Sequence, residues 1–270
     1  MFDEVIACLD GSSIAETILP LARGLTATKG GSLTLLRVVA DPEELSAEEN
    51  YLRDCARQYS GQLRFLVAAD AAGAIAAELE RNPHAIAALT THGRSAWAEA
   101  IVGSVALRVM RAAKRPVILF CPLGREGDAP KKISKIVLAL DGSEFAERMI
   151  PYAAKAAQSL AAQLLLVQAL PLGAPVAPLE NHEKSDISES SYLHWQAANI
   201  KKKYAITPQW EVLHGEPGAA ICQYLKGMAE TMLALTTHAR GGVERAMLGS
   251  VAAECIRHAG APLLLYWPPQ

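Results

Sequence analysis

The chain repeats itself. The stretch "VIACLDGSSIAE" (Val5–Glu16) returns as "IVLALDGSEFAE" (Ile136–Glu147), and "ALTTHGRSAWAEAIVGS" (Ala88–Ser104) returns as "ALTTHARGGVERAMLGS" (Ala234–Ser250). "RPVILFCP" (Arg115–Pro122) likewise returns as "APLLLYWP" (Ala261–Pro268). A repeat about half as long as the 270-residue chain is too long for a solenoid unit, and each copy is large enough to bury its own core. The repeat therefore predicts two domains, residues 1–125 and 133–270, joined by the polar, Gly/Pro-containing linker "PLGREGDAPKK" (Pro122–Lys132). Late repeat pairs stand further apart than early ones, so the second half carries a net insertion between Leu170 and Trp210. There "PLGAPVAPLENHEKSDISES" has the composition of an exposed excursion, and residues from Pro171 to Ser191 are expected to be the most mobile.

Within each half, short apolar runs alternate with segments of helical period. Strands are predicted in the first half at Glu4–Leu9, Ser32–Val39, Gln62–Val67, Ile86–Thr90 and Val117–Cys121. Ile14, Ile18, Leu21 and Leu25 mark one helical face between them, and Ile75, Ala76 and Leu79 mark another. In the second half Phe145, Met149, Tyr152, Ala156 and Leu160 repeat the first face, and Ile221, Cys222 and Leu225 the second. Strands apolar on both faces and separated by helices belong to parallel sheets covered on both sides. The expected fold is α/β, with two tandem doubly wound parallel-sheet domains of Rossmann-like type. The apolar last strands, "VILFCP" and "LLLYWP", would make poor exposed edges, so the halves are expected to pack through them about a pseudo-twofold axis.

Charge and cysteine usage narrow the function. A formal net charge of −2 gives no electrostatic reason to expect nucleic acid or an acidic membrane as partner. The five cysteines are odd in number and form no C-x-x-C, which suits buried reduced thiols better than disulfides or metal ligands. "MFDEVIACLDGSS" has acids where a signal peptide needs positive charge, and the most apolar stretch, Ala156–Leu179, is broken by glutamines and prolines. The expectation is a cytoplasmic protein.

The repeated pieces converge if the first and fourth strands are neighbours. Asp10 and Asp141 end first strands, and Thr91-His92 and Thr237-His238 end fourth strands, where doubly wound sheets hold ligands. Ser104 and Ser250 are placed to cap the helices that follow, whose N-termini attract anions. Gly93 permits positive φ or close backbone approach to a ligand. On local chemistry alone, Asp10-Gly11-Ser12 is equally a turn and cap. Arg94 and Arg240 either reach a phosphate or stay solvated, and His92 and His238 read as structural residues. No Walker A, G-x-G-x-x-G or G-x-S-x-G sequence occurs, and no activated nucleophile or metal cluster is evident.

On these residues nearly the whole chain resembles two universal stress protein domains in tandem, a family of adenine nucleotide α-hydrolase-like fold. The family's nucleotide-binding members carry G-x2-G-x9-G-[S/T] here. The first half reads Thr90-x2-Gly93-x9-Gly103-Ser104 and the second Thr236-x2-Ala239-x9-Gly249-Ser250, with spacing kept, the first glycine replaced in both and the second replaced in the second half. The resemblance implies ATP, with or without Mg2+, as ligand. Asp10 and Asp141 would contact the nucleoside, and the main chain near Val38 and Ala169 the adenine. Phosphates would fall to Gly93, Arg94, Gly103, Ser104 and Val105 in the first half, and to Gly249, Ser250 and Val251 in the second. It implies a regulatory role in stress response without catalytic residues, and self-association through the last strands, within the chain or as a homodimer. A nucleotide-free interaction module and a slow nucleotide phosphohydrolase stand as alternatives.

Overall fold

The computed structural model describes residues 1–28, 30–91, 103–122, 129–171, 190–237 and 248–269. The first half runs β1 (Glu4–Leu9), α1 (Ser13–Glu16), α2 (Leu19–Ala27), β2 (Ser32–Val39), α3 (Glu43–Gln58), β3 (Gln62–Val67), α4 (Ala71–Arg81), β4 (Ala85–Thr90), α5 (Ser104–Ala112) and β5 (Val117–Phe120). The second half repeats that order as β6 (Lys135–Ala139), α6 (Glu144–Glu147), α7 (Ile150–Leu160), β7 (Gln163–Leu170), α8 (Ser191–Tyr204), β8 (Gln209–His214), α9 (Pro217–Leu225), β9 (Thr231–Thr236), α10 (Ser250–His258) and β10 (Leu263–Tyr266). The extra residues of the second half fall between β7 and α8. Most of that stretch, 172–189, lies outside the described residues, and so does the mobility expected of it.

The strands form one sheet in the order β3-β2-β1-β4-β5-β10-β9-β6-β7-β8. Within each half all neighbours are parallel, as continuous apolar runs such as "EVIACL" and "KIVLA" require when both faces are covered. At the centre β5 and β10 pair antiparallel, with Leu264 opposite Ile118 and Leu265 opposite Val117. The order reads the same outward from this seam, which gives the pseudo-twofold relation. Pairing the last strands removes two apolar edges at once.

Each face of the sheet carries a core that continues from one half into the other. On one face Ile18, Leu21 and Leu52 share an apolar layer with Met149, Leu160, Leu193 and Ile200, beneath α2, α3, α7 and α8. On the opposite face Ile75, Leu79, Val109 and Met110 join Ile221, Leu225, Cys255 and Ile256, beneath α4, α5, α9 and α10. No described helix is long and apolar enough to cross a membrane.

Candidate functional site

Strand order reverses between β1 and β4, because β1 leads outward to β2 while β4 leads inward to β5. The chain must part above that point, and a cleft of about 230 Å³ opens there at the carboxyl ends of the strands. Asp10 follows β1 and lines this cleft. Gly11 takes φ +80°, a turn that costs a side-chain-bearing residue dearly. That turn brings Ser12 round so that its N–H and its hydroxyl both donate to Asp10 Oδ1, at 3.0 and 2.6 Å. The same hydroxyl accepts from Ala15 N at 3.1 Å and caps α1. The motif therefore turns and caps, and in doing so holds a carboxylate on the cleft wall.

Gly103, Ser104 and Val105 line the opposite wall. Here the structure corrects one expectation: Gly103, not Ser104, is the N-cap of α5. Gly103 is extended (φ −57°, ψ 146°), its N–H donates to Thr91 O at 2.5 Å, and its carbonyl accepts from Leu107 N at 3.0 Å. A Cβ at 103 would lie 2.9 Å from the Thr91 carbonyl oxygen. Backbone proximity thus excludes a side chain, and with it the side-chain cap that serine would supply. Ser104 is the first helical residue and exposed, so it leads a turn whose N–H groups lack intrahelical acceptors.

Val38 lies on β2 at the cleft, as expected. Its neighbour Arg37, also in the wall, was missed by sequence reasoning although a lone cation inside "LTLLRVV" is a signal. Arg37 is only 6% exposed, and its guanidinium donates from Nη1 to the Val38 carbonyl at 2.9 Å. A buried guanidinium needs such acceptors, and a carbonyl keeps a second lone pair for another donor. Cys8 and Ile75 make apolar wall, and desolvation pushes the Cys8 thiol up to about 12, so it stays protonated. Gly93, Arg94 and His92 lie outside the described residues, as do His238, Ala239 and Arg240.

The second half repeats the construction in a cleft of about 180 Å³. Gly142 takes φ +81°, and Ser143 donates to Asp141 Oδ1 from N at 2.9 Å and from its hydroxyl at 2.6 Å. Gly249 is the N-cap of α10, donating to Thr237 O at 2.7 Å and accepting from Ala253 N at 2.9 Å. Asp141, Ala169, Gly249 and Val251 line the cleft, while Ser250, the exposed first residue of α10, stands beside that wall. The strand position matching Arg37 holds Gln168, so among the described residues this cleft has no counterpart of that buried cation. Leu140, Ile221 and Leu235 line it as Leu9, Ile75 and Leu89 line the first cleft.

The sequence matches the Universal stress protein family over residues 132–266, half of the chain. A universal stress protein of Mycobacterium bovis is 30% identical over 148 residues, which are 47% of this chain and 46% of that protein. One of Methanocaldococcus jannaschii is 26% identical over 142 residues, 50% of this chain and 83% of that protein. The chain thus matches less than half the length of the mycobacterial relative. Among solved structures, a universal stress protein from Archaeoglobus fulgidus has a TM-score of 0.72 at 17% identity, covering 99% of both chains. The cytoplasmic domain of a prokaryotic cation chloride cotransporter shares the fold at a TM-score of 0.53 and 13% identity, over 97% of this chain and 93% of that one. With the family pattern matched across its second half and the same strand order and cleft built twice, this chain belongs to the universal stress protein family.

Proposed function

We propose that this protein binds an adenine nucleotide, ATP foremost, in a regulatory and non-metabolic role in stress response, and that the first cleft binds it more tightly. The observation that carries the reading is the meeting of Asp10 with Gly103 and Ser104 in one cleft at the switch point. The residues present fit the ligand. Cys8, Leu36, Val38 and Ile75 offer apolar surface to a flat base, and the Val38 main chain offers polar atoms to its edge. Asp10, held by Ser12, is an acceptor for sugar hydroxyls. The N–H groups opening α5 suit phosphate, aided by the positive end of the helix dipole. Gly93 and Arg94 complete the phosphate side by motif position, and Mg2+ would ride on the phosphates. In the second half Asp141, Ala169, Gly249, Ser250 and Val251 play the same parts, without Arg37 and with Ala239 in place of the loop glycine.

The carboxylate of Asp10 is engaged by two donors from Ser12, an arrangement better suited to holding a hydroxyl than to removing its proton. This favours a ligand-state sensor over a hydrolase. Mass spectrometry of small molecules released by denaturing the purified protein should find adenine nucleotide. Calorimetry with ATP should show Gly103→Val losing most of the tighter binding, roughly ten- to a hundredfold for one charge-assisted bond, with Gly249→Val affecting it less. A side chain at 103 also presses on Thr91, so Asp10→Ala, checked for fold by circular dichroism, gives an independent readout. A folded wild-type chain that releases no nucleotide and gives no heat with ATP overturns the reading in favour of an interaction module. Multiple turnover of ATP would instead make it an enzyme.

A further inference from the structure

The two halves differ where α9 meets α10. Gly218 lets these helices approach closely: a Cβ there would lie 2.7 Å from the Glu254 Cβ and 3.7 Å from the Val251 Cα. The helices follow parallel strands and run the same way, so one turn further along each, Cys222 stands against the turn holding Glu254 and Cys255. The Cys222 thiol lies 3.9 Å from the Glu254 carbonyl oxygen. Cys222 is half-buried and reachable from solvent, whereas Cys255 is fully buried. The corresponding sixth residues of α4 and α5 are Ala76 and Val109, an apolar pair with no thiol chemistry. The second half alone carries two sulfurs at this helix contact.

We propose that Cys222 and Cys255 form a reversible, peroxide-driven disulfide that staples α9 to α10 beside the second cleft. The two thiols are unequal in a way that suits the roles. A hydrogen bond from the Cys255 thiol lowers the Cys222 pKa, opposed by burial and by the Glu254 carboxylate. That same bond, then burial, raises Cys255 well above its ordinary value. Cys222 is therefore the attacking sulfur and Cys255 the resolving one. The Cys222 thiolate attacks one oxygen of hydrogen peroxide, the O–O bond breaks, and hydroxide leaves, giving Cys222 sulfenic acid. Cys255 sulfur then attacks that sulfur, the S–O bond breaks, and the hydroxyl leaves as water with the Cys255 proton. The net change is two thiols oxidised to a disulfide and one peroxide reduced to two waters. Pro217 and Ile221 of α9 and Val251 and Ala252 of α10 line the second cleft, so the staple fixes the separation of two of its walls. Nothing in this depends on which ligand the cleft takes.

The test uses the full chain treated with stoichiometric hydrogen peroxide, followed by intact mass and peptide mapping without reduction. The expected result is loss of two hydrogens, a crosslinked peptide joining Cys222 to Cys255, and full recovery with dithiothreitol. Cys255→Ala should leave Cys222 as a sulfenic acid that dimedone traps, and Cys222→Ala should leave Cys255 unmodified. Hydrogen exchange of the α9 and α10 amides should slow in the oxidised chain. A mass unchanged by peroxide, a crosslink joining other cysteines, or persistent dimedone labelling of Cys222 in the wild-type chain overturns the proposal.

Discussion

Ser12 shows how one small side chain serves fold and site together. Its hydroxyl accepts from Ala15 N to start α1 and donates to Asp10 Oδ1 to hold the carboxylate on the cleft. Ser143 does the same for Ala146 and Asp141. Removing such a cap costs about 1 kcal/mol, within a range of roughly 0.5–2. Ser12→Ala and Ser143→Ala should each lower stability by that amount in chemical denaturation, and the double variant should show the sum, because the two turns share no partner. Only Ser12→Ala should weaken the tighter ATP binding, since it frees the Asp10 carboxylate to turn from the cleft. Equal weakening by both variants would contradict the asymmetry between the clefts. The sequence made Asp10 and Asp141 legible because they recur with their glycine and serine. Arg37 was harder to read, because its signal is a lone cation in an apolar strand of one half only, and a repeat exposes what is shared. The cap at Gly103 was misread for another reason: serine is the better cap by propensity, and only the Thr91 carbonyl, distant in sequence, rules a side chain out.

At the scale of elements, the strands were the most legible part. All five predicted in the first half are present, with β4 starting one residue earlier and β5 ending one residue sooner than expected. Buried parallel strands are short apolar blocks with little else to compete for the reading. The helix α3 was not anticipated: it is rich in charged residues, and its buried Leu52 and Cys55 form a sparse stripe. The linker's path was also hidden. Ala129 N donates to Thr17 O at 3.1 Å, and Lys131 passes so close to α2 that a Cβ on Gly24 would lie 1.8 Å from its carbonyl oxygen. A mid-helix glycine costs roughly 0.5–1 kcal/mol against alanine, so its presence here follows from the approach of the linker backbone. Gly24→Ala sets a propensity gain of at most about 1 kcal/mol against a strain of roughly 1–3 kcal/mol. Because the obstacle is backbone rather than a mobile side chain, strain should win, and the variant should melt lower than wild type. A higher melting temperature would mean that the linker lifts away without cost.

At the scale of the whole molecule, the question is whether two repeats make two folding units. The repeat made the pairing of the last strands foreseeable, but only their antiparallel register shows how much the halves share. β5 and β10 are buried along their whole length, and Ile118 and Leu264 face each other across the seam with no exposed surface. Both apolar layers cross that seam without a break. Unfolding one half alone would bare the central strand of the other and open both layers to water, at a cost of about 25 cal/mol for each Å² of apolar surface exposed. Thermal unfolding should therefore be one transition, coincident by far-ultraviolet circular dichroism, which reports both halves, and by fluorescence of a Trp97→Phe variant, whose remaining Trp195, Trp210 and Trp267 all belong to the second. Leu264→Ala should cost roughly 2–5 kcal/mol, as buried leucine truncations do, and should lower that single transition as a unit. If the fluorescence midpoint shifted while half the dichroic change stayed in place, the halves would be independent, and the seam would be a contact between finished domains rather than part of one core.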